Sequence, residues 1–93
     1  IHTVSTGTLS SSIVHPREVF KPLILHNASA FVCGHNHPSG DPNPSRDDIE
    51  ITARLAECGK VFGITLLDHV IVGDGTDQYY SFQEHDLLKG GGI

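Results

Sequence analysis

The sequence contains no tryptophan and no methionine, and only 6 lysines and arginines stand against 11 aspartates and glutamates, for a net charge of −5 over 93 residues. Nucleic-acid surfaces are built on clustered basic charge, so this balance argues against a strong nucleic-acid footprint. Cysteine is scarce as well. Cys33 and Cys58 stand alone, with no Cys-x-x-Cys pair. Free buried thiols in a reducing cytosol are the simplest reading of them. No apolar run is long enough to cross a bilayer and no signal-peptide pattern is read, so a cytoplasmic domain without a membrane is expected. Neither an internal repeat nor a linker divides the chain, and 1–93 reads as one domain with a loose tail at 89–93. A chain of this length buries roughly 60–65% of its unfolded surface, enough for one modest core.

Several metal-site signatures are also missing. There is no His-Glu-x-x-His, which excludes the helical zinc-protease motif. There is no His-x-Glu followed by Pro-Cys-x-x-Cys, which excludes the zinc nucleobase deaminases. His35-Asn36-His37 is contiguous, whereas the residues of an HNH nuclease are dispersed along a ββα unit.

What is present is the run Gly34-His35-Asn36-His37-Pro38-Ser39-Gly40-Asp41-Pro42-Asn43-Pro44-Ser45-Arg46-Asp47-Asp48. Ala30-Phe31-Val32-Cys33 is apolar and reads as a strand leading into His35. Side chains two apart on a strand share a face, so His35 and His37 can aim both imidazoles at one point. Three prolines and a glycine in 38–44 suit a fixed, non-helical turn. Ser45 then opens a helix, with Asp48 one turn inside it. Ser45-x-x-Asp48 by itself is a helix start resembling a capping box, with Asp in place of Glu, and a His-x-His pair alone is more often a surface feature. Their combination points to three ligands, His35, His37 and Asp48, for one metal ion. A capping role and a ligand role are compatible. Two histidines and a carboxylate leave a fourth position on zinc for water, the pattern of a catalytic rather than a structural site.

His-x-His-Pro, seven residues to Ser45 and two more to Asp48 resemble the JAMM motif of the JAB/MPN metalloprotease superfamily. The wider string is similar to the RadC family within it. The matching pieces are Ser5-Thr6-Gly7-Thr8-Leu9, His15-Pro16-Arg17-Glu18-Val19-Phe20, His35 to Pro42, Pro44-Ser45, Asp48, Leu67-Asp68-His69-Val70-Ile71 and Tyr80-Ser81-Phe82. The resemblance covers nearly the whole chain. It implies an α/β fold, a JAB/MPN-like (cytidine-deaminase-like) mixed sheet flanked by helices, here without its N-terminal strand or strands. It also implies a zinc-dependent hydrolase of peptide or isopeptide bonds, with a peptide or protein as substrate and Ser45 assisting the oxyanion. The general base in that superfamily is a glutamate on an upstream strand. The only upstream carboxylate here is Glu18, in the first-helix motif, so the base is expected outside the 93 residues. A sheet without its outer strand would expose unpaired backbone and invite pairing with a second copy. The alternative reading is a JAB-fold scaffold or binding module without catalysis. The family carries a historical DNA-repair label, to which the acidic charge lends nothing.

The remaining segments read in order. Residues 1–14 form an extended edge segment or strand followed by a loop. Residues 16–28 form a helix opened by Pro16, in which Pro22 kinks the run or removes a hydrogen bond, and ended by Asn27. A strand at 29–36 and a second helix at 46–60 follow. That helix is apolar over a wide arc (Ile49, Ile51, Ala53, Leu55, Ala56, Cys58, with Phe62 beyond), which implies deep burial, and Gly59 stands where glycine terminates helices. Ile64 to Val72 reads as a central strand covered on both faces. A turn at Gly73-Asp74-Gly75 leads to a partner strand at 78–82. Asp68 and His69, inside the apolar strand, read as a structural hydrogen-bond network, or else as supports that orient a metal-bound histidine. Arg17 reads as a structural anchor for the helix start, or else as a substrate contact. His2, His15, His26 and His85 read as surface residues.

Overall fold

The computed structural model describes the backbone of residues 4–8 and all of residues 15–88. Strand β1 (Val4–Thr8) is followed by helix α1 (Pro16–Leu25), strand β2 (Ala30–His37), helix α2 (Arg46–Phe62), strand β3 (Thr65–Gly73) and strand β4 (Tyr79–Ser81). The sheet order is β1-β2-β3-β4. The first two pairings are parallel and the last is antiparallel. The expected mixed α/β sheet is therefore present, with β1 at its edge. The loop expected after it, at 9–14, and the tail at 89–93 lie outside the described residues.

Pro16 occupies the first turn of α1, where its fixed φ fits and no N–H is needed. Pro22 does not end the helix, which continues to Leu25. Termination comes three residues before the expected 28. Asn27 takes a left-handed φ of 54°, and the Ala28 N–H bonds back to the Leu23 carbonyl at 2.9 Å, a Schellman-type closure. Helix α2 starts where expected but runs past residue 60. Gly59 does not terminate it. Gly59 is a helical residue buried beneath Ile64, and a Cβ there would sit 2.2 Å from the Ile64 carbonyl oxygen. The terminator is Gly63, left-handed at φ 72°, with the Ile64 N–H bonded to the Gly59 carbonyl at 2.8 Å.

Phe20 and Leu23 from α1, Phe31 and Cys33 from β2, Leu55 and Ala56 from α2, and Ile64 and Leu66 form one core cluster. Phe20 packs edge-on against Phe31, with ring centroids 5.2 Å apart, and also meets Phe62. Both helices thus lie on the same face of the sheet. Strands in simple sequential order, joined by crossovers of one hand, produce that arrangement. It corrects two expectations. Only the seam Asp48, Thr52, Leu55, Ala56, Gly59 of α2 is buried, while Ile49 and Phe62 are exposed. β3 is central but not covered on both faces: Leu67 and Val72 are each 43% exposed, because no helix among the described residues lies over their side.

One irregularity in β3 matters for the site. Phe31 pairs with Leu66 but Val32 pairs with Asp68, so Leu67 is an extra residue, a β-bulge. The bulge resets the alternation. Leu66 and His69, three apart, both become buried on the helix face, and Asp68 shares the opposite face with Val32.

Candidate metal centre

His35 and His37 sit at the C-terminal end of β2, beside the start of α2. Parallel sheets gather ligands at this end of their strands. Alternation along β2 puts the two imidazoles on one face, with centroids 4.8 Å apart. At the helix start, the Ser45 hydroxyl accepts the Asp48 N–H at 3.1 Å and the Asp48 Oδ2 accepts the Ser45 N–H at 2.8 Å, a full capping box. Reciprocal capping folds the Asp48 carboxylate back over the first turn, toward β2. It arrives with Oδ2 3.0 Å from His37 Nε2 and Oδ1 3.2 Å from His35 Nδ1. The three side chains are about nine-tenths buried at His35 and Asp48 and slightly less so at His37. One donor atom from each lies within 4.8 Å of the other two.

The protons show what the arrangement needs. His37 Nδ1 lies 2.8 Å from the Asp41 carbonyl oxygen. A carbonyl only accepts, so Nδ1 carries the hydrogen and a neutral ring turns the lone pair of Nε2 toward Asp48. Burial raises the Asp48 pKa, but the hydrogen bonds from Ser45, together with the charge of His35 and His37 whenever they are protonated, outweigh it and hold the carboxyl below its usual range. An ionised carboxylate therefore faces a ring lone pair. His35 Nδ1 is buried and makes no hydrogen bond, although Asp48 is close. Three acceptors converging on one point require a cation between them, either a proton or a metal ion. A tetrahedral ion about 2.1 Å from each donor would set donors roughly 3.4 Å apart, close to the 3.0 and 3.2 Å between Asp48 and the two imidazoles, with all three donors within 4.8 Å of one another. The residues fit a metal.

The loop that fixes His37 is itself held. The Asp41 carboxylate accepts the Asn43 N–H at 3.0 Å, an Asx turn. The His37 carbonyl accepts N–H groups from both Gly40 and Asp74. Gly73 permits that contact: a Cβ there would lie 2.1 Å from the Gly40 carbonyl oxygen.

The two polar residues in β3 divide. Asp68 points away from the metal group. Its Oδ1 accepts the His69 and Gln83 N–H groups and its Oδ2 accepts the Ser81 hydroxyl at 2.7 Å, tying β3 to β4 and the turn beyond it. This is the structural network expected. His69 faces α2 instead, fully buried, with Nδ1 2.6 Å from the Thr52 hydroxyl. Its ring lies flat on Phe82 and near-parallel to His35, with centroids 4.8 and 6.0 Å away. Burial, helped by the neighbouring His35 charge, pushes its pKa down to about 4.

Glu18 does not join the group and is exposed on α1, as is Arg17. His15, His26 and His85 are exposed, as expected, and His2 lies outside the described residues. Cys33 is buried and Cys58 half-buried, both free thiols. Sequence reasoning missed Thr52 and the Asp41 carbonyl. Thr52 had a signal, since it lies four residues after Asp48 and so on the same helix face. The Asp41 contact is made by backbone and leaves no mark on residue type.

Fold and site together define a small α/β domain that presents two histidines and an aspartate as a candidate metal-binding group. The chain belongs to the RadC family: the family model for the RadC-like JAB domain matches residues 1–87. Among similar curated relatives are UPF0758 proteins of Bacillus pumilus, 58% identical over 87 residues (94% of this chain, 38% of the relative), and of Alkaliphilus oremlandii, 56% identical over 88 residues (95% and 37%). The UPF0758 protein YsxA of Bacillus subtilis is 64% identical over 86 residues (92% and 36%). The chain thus spans under two-fifths of the length of these relatives.

Proposed function

We propose that this domain is a zinc-dependent hydrolase of the JAMM type, acting on a peptide or isopeptide bond of a peptide or protein substrate. The observation that carries the reading is the set of three acceptors, His35, His37 and Asp48, facing one another with the His37 Nδ1–H locked to a carbonyl. Two imidazoles and one carboxylate suit zinc and leave it a position for water. A bound zinc ion supplies a water of pKa near ~7 and polarises the scissile carbonyl. The chain's own residues do the rest. His35, His37 and Asp48 hold the ion, and the Asp41 carbonyl and Ser45 N–H orient two of them. The Ser45 hydroxyl, already accepting from Asp48, keeps its own proton to donate to an oxyanion beside the ion. Proton transfer from water to the leaving amine needs a further carboxylate. In this reading it is a glutamate from outside the 93 residues. Free thiols at Cys33 and Cys58 fit a cytosolic setting, and no described helix is long and apolar enough to cross a membrane.

A second reading, a JAB-fold binding module that keeps the metal without catalysis, is favoured by one observation: no described carboxylate besides Asp48 joins the group. Elemental analysis and a peptide-library assay separate the two. The hydrolase reading expects one zinc per chain, lost in His37→Ala, and cleavage by the full-length protein that is abolished in Asp48→Ala. Stoichiometric zinc with no cleavage would favour the binding module, and no bound metal at all would defeat both.

A further inference from the structure

His69 is an odd residue to find at the centre of a core. It is fully buried, and its Nε2 meets no hydrogen-bond partner. An apolar side chain of similar volume would avoid leaving a polar atom unpaired there. The other nitrogen is used in a defined way. The single proton of the Thr52 hydroxyl goes to the Asp48 carbonyl at 2.7 Å. Its oxygen must then accept at 2.6 Å from His69, which fixes the Nδ1–H tautomer. A chain of two hydrogen bonds thus runs from β3 to the backbone of Asp48. On its ring faces His69 touches Phe82 and stands near-parallel to His35, 20° between planes. The bulge at Leu67 is what turns His69, rather than Asp68, toward α2.

We propose that His69, acting through Thr52, is a positioning residue for the metal-binding group: it pins the first turn of α2, and so the Asp48 carboxylate, against β2, and it limits rotation of the His35 ring. This rests on the metal reading above and adds to it a residue that touches no ligand atom of the ion. Supports that orient ligands typically change metal affinity by about 10–100-fold when removed.

The test is cobalt(II) binding by the whole chain, read as affinity by chelator competition and as the visible absorption of the bound ion. His69→Phe keeps ring volume and loses the donor; Thr52→Val keeps shape and loses the hydroxyl. Each is expected to weaken cobalt binding about tenfold or more and to shift the absorption bands, while the metal-free proteins melt near the wild-type temperature. His69→Asn, whose side-chain N–H can replace Nδ1–H, and Thr52→Ser are expected to restore affinity and spectrum. If His69→Phe does not fold, Thr52→Val and Thr52→Ser carry the test. Wild-type affinity and spectrum in folded Thr52→Val would overturn the proposal, as would a loss that the conservative variants fail to rescue. A wild type that binds no cobalt would instead sink the metal reading, and this proposal with it.

Discussion

Asp48 shows how much one side chain is asked to do. Its N–H and one oxygen close the helix cap with Ser45, and both oxygens face imidazoles. The cap was readable as Ser-x-x-Asp, and so was the site, since both readings use the same residue. Cys33 shows the opposite, a residue with chemistry that burial suppresses. Its thiol is pushed up to about 12 from 9.0 by desolvation. The unfolded chain ionises first, so stability is intact below about pH 9 and falls as pH rises toward 12, by at most ~1.4 kcal/mol per pH unit. Urea midpoints from pH 7 to 11 should show this loss in the wild type and less of it in Cys33→Ala. A disulfide reagent at neutral pH should modify Cys58 and spare Cys33 until the protein unfolds. Equal modification rates would contradict the burial argument.

At the scale of elements, both helix starts were legible, but only one of the two stops. Pro16 and Ser45 mark helix starts because capping is a local matter of φ and one hydrogen bond. Asn27 closes α1 as expected, although the last helical residue is Leu25, but the stop of α2 falls at Gly63 rather than Gly59. Two glycines near the end of α2 offered the same signal, and packing chose between them: Gly59 lies beneath Ile64, and Gly63 is free to be left-handed. Gly59→Ala is therefore expected to destabilise by about 2–3 kcal/mol, the cost of overpacking against fixed backbone. A control at the exposed Glu57, Glu57→Ala, should stay within ~0.5 kcal/mol. Chemical denaturation of both decides it, and a Gly59→Ala as stable as the control would mean that Ile64 can move away. The bulge at Leu67 was likewise invisible, because an unbroken apolar run carries no mark of where its parity changes.

At the scale of the whole molecule, the candidate metal-binding group brings together the end of β2 and the start of α2. On the metal reading, an ion at 100 times its dissociation constant adds about 2.7 kcal/mol to stability. For a domain of this size each kcal/mol moves Tm by about 4–8 °C, so chelation should lower Tm by roughly 10–20 °C. Calorimetry with and without chelator measures it, and Asp48→Ala should melt at one temperature in both conditions. The sheet as a whole was harder to foresee than the site. A run such as Ile64 to Val72 reads as doubly covered, yet coverage depends on which face the crossovers choose. Both chose one, leaving Val72 and Tyr79 exposed among the described residues.

The sequence alone determined the alternation that aims His35 and His37 together, the cap that opens α2, the fixed loop between them and so the convergence of His35, His37 and Asp48 as a candidate metal-binding trio. These follow from spacings of two, three and a short rigid turn, which local geometry obeys without knowing the fold. Only the tertiary structure decided that Asp68 ties β3 to β4 while His69 turns toward Thr52 on α2, that Gly63 and not Gly59 ends α2, and that one face of the sheet receives both helices. Each of those depends on what lies across a gap from a residue distant in the chain, and no spacing along the chain encodes that neighbour.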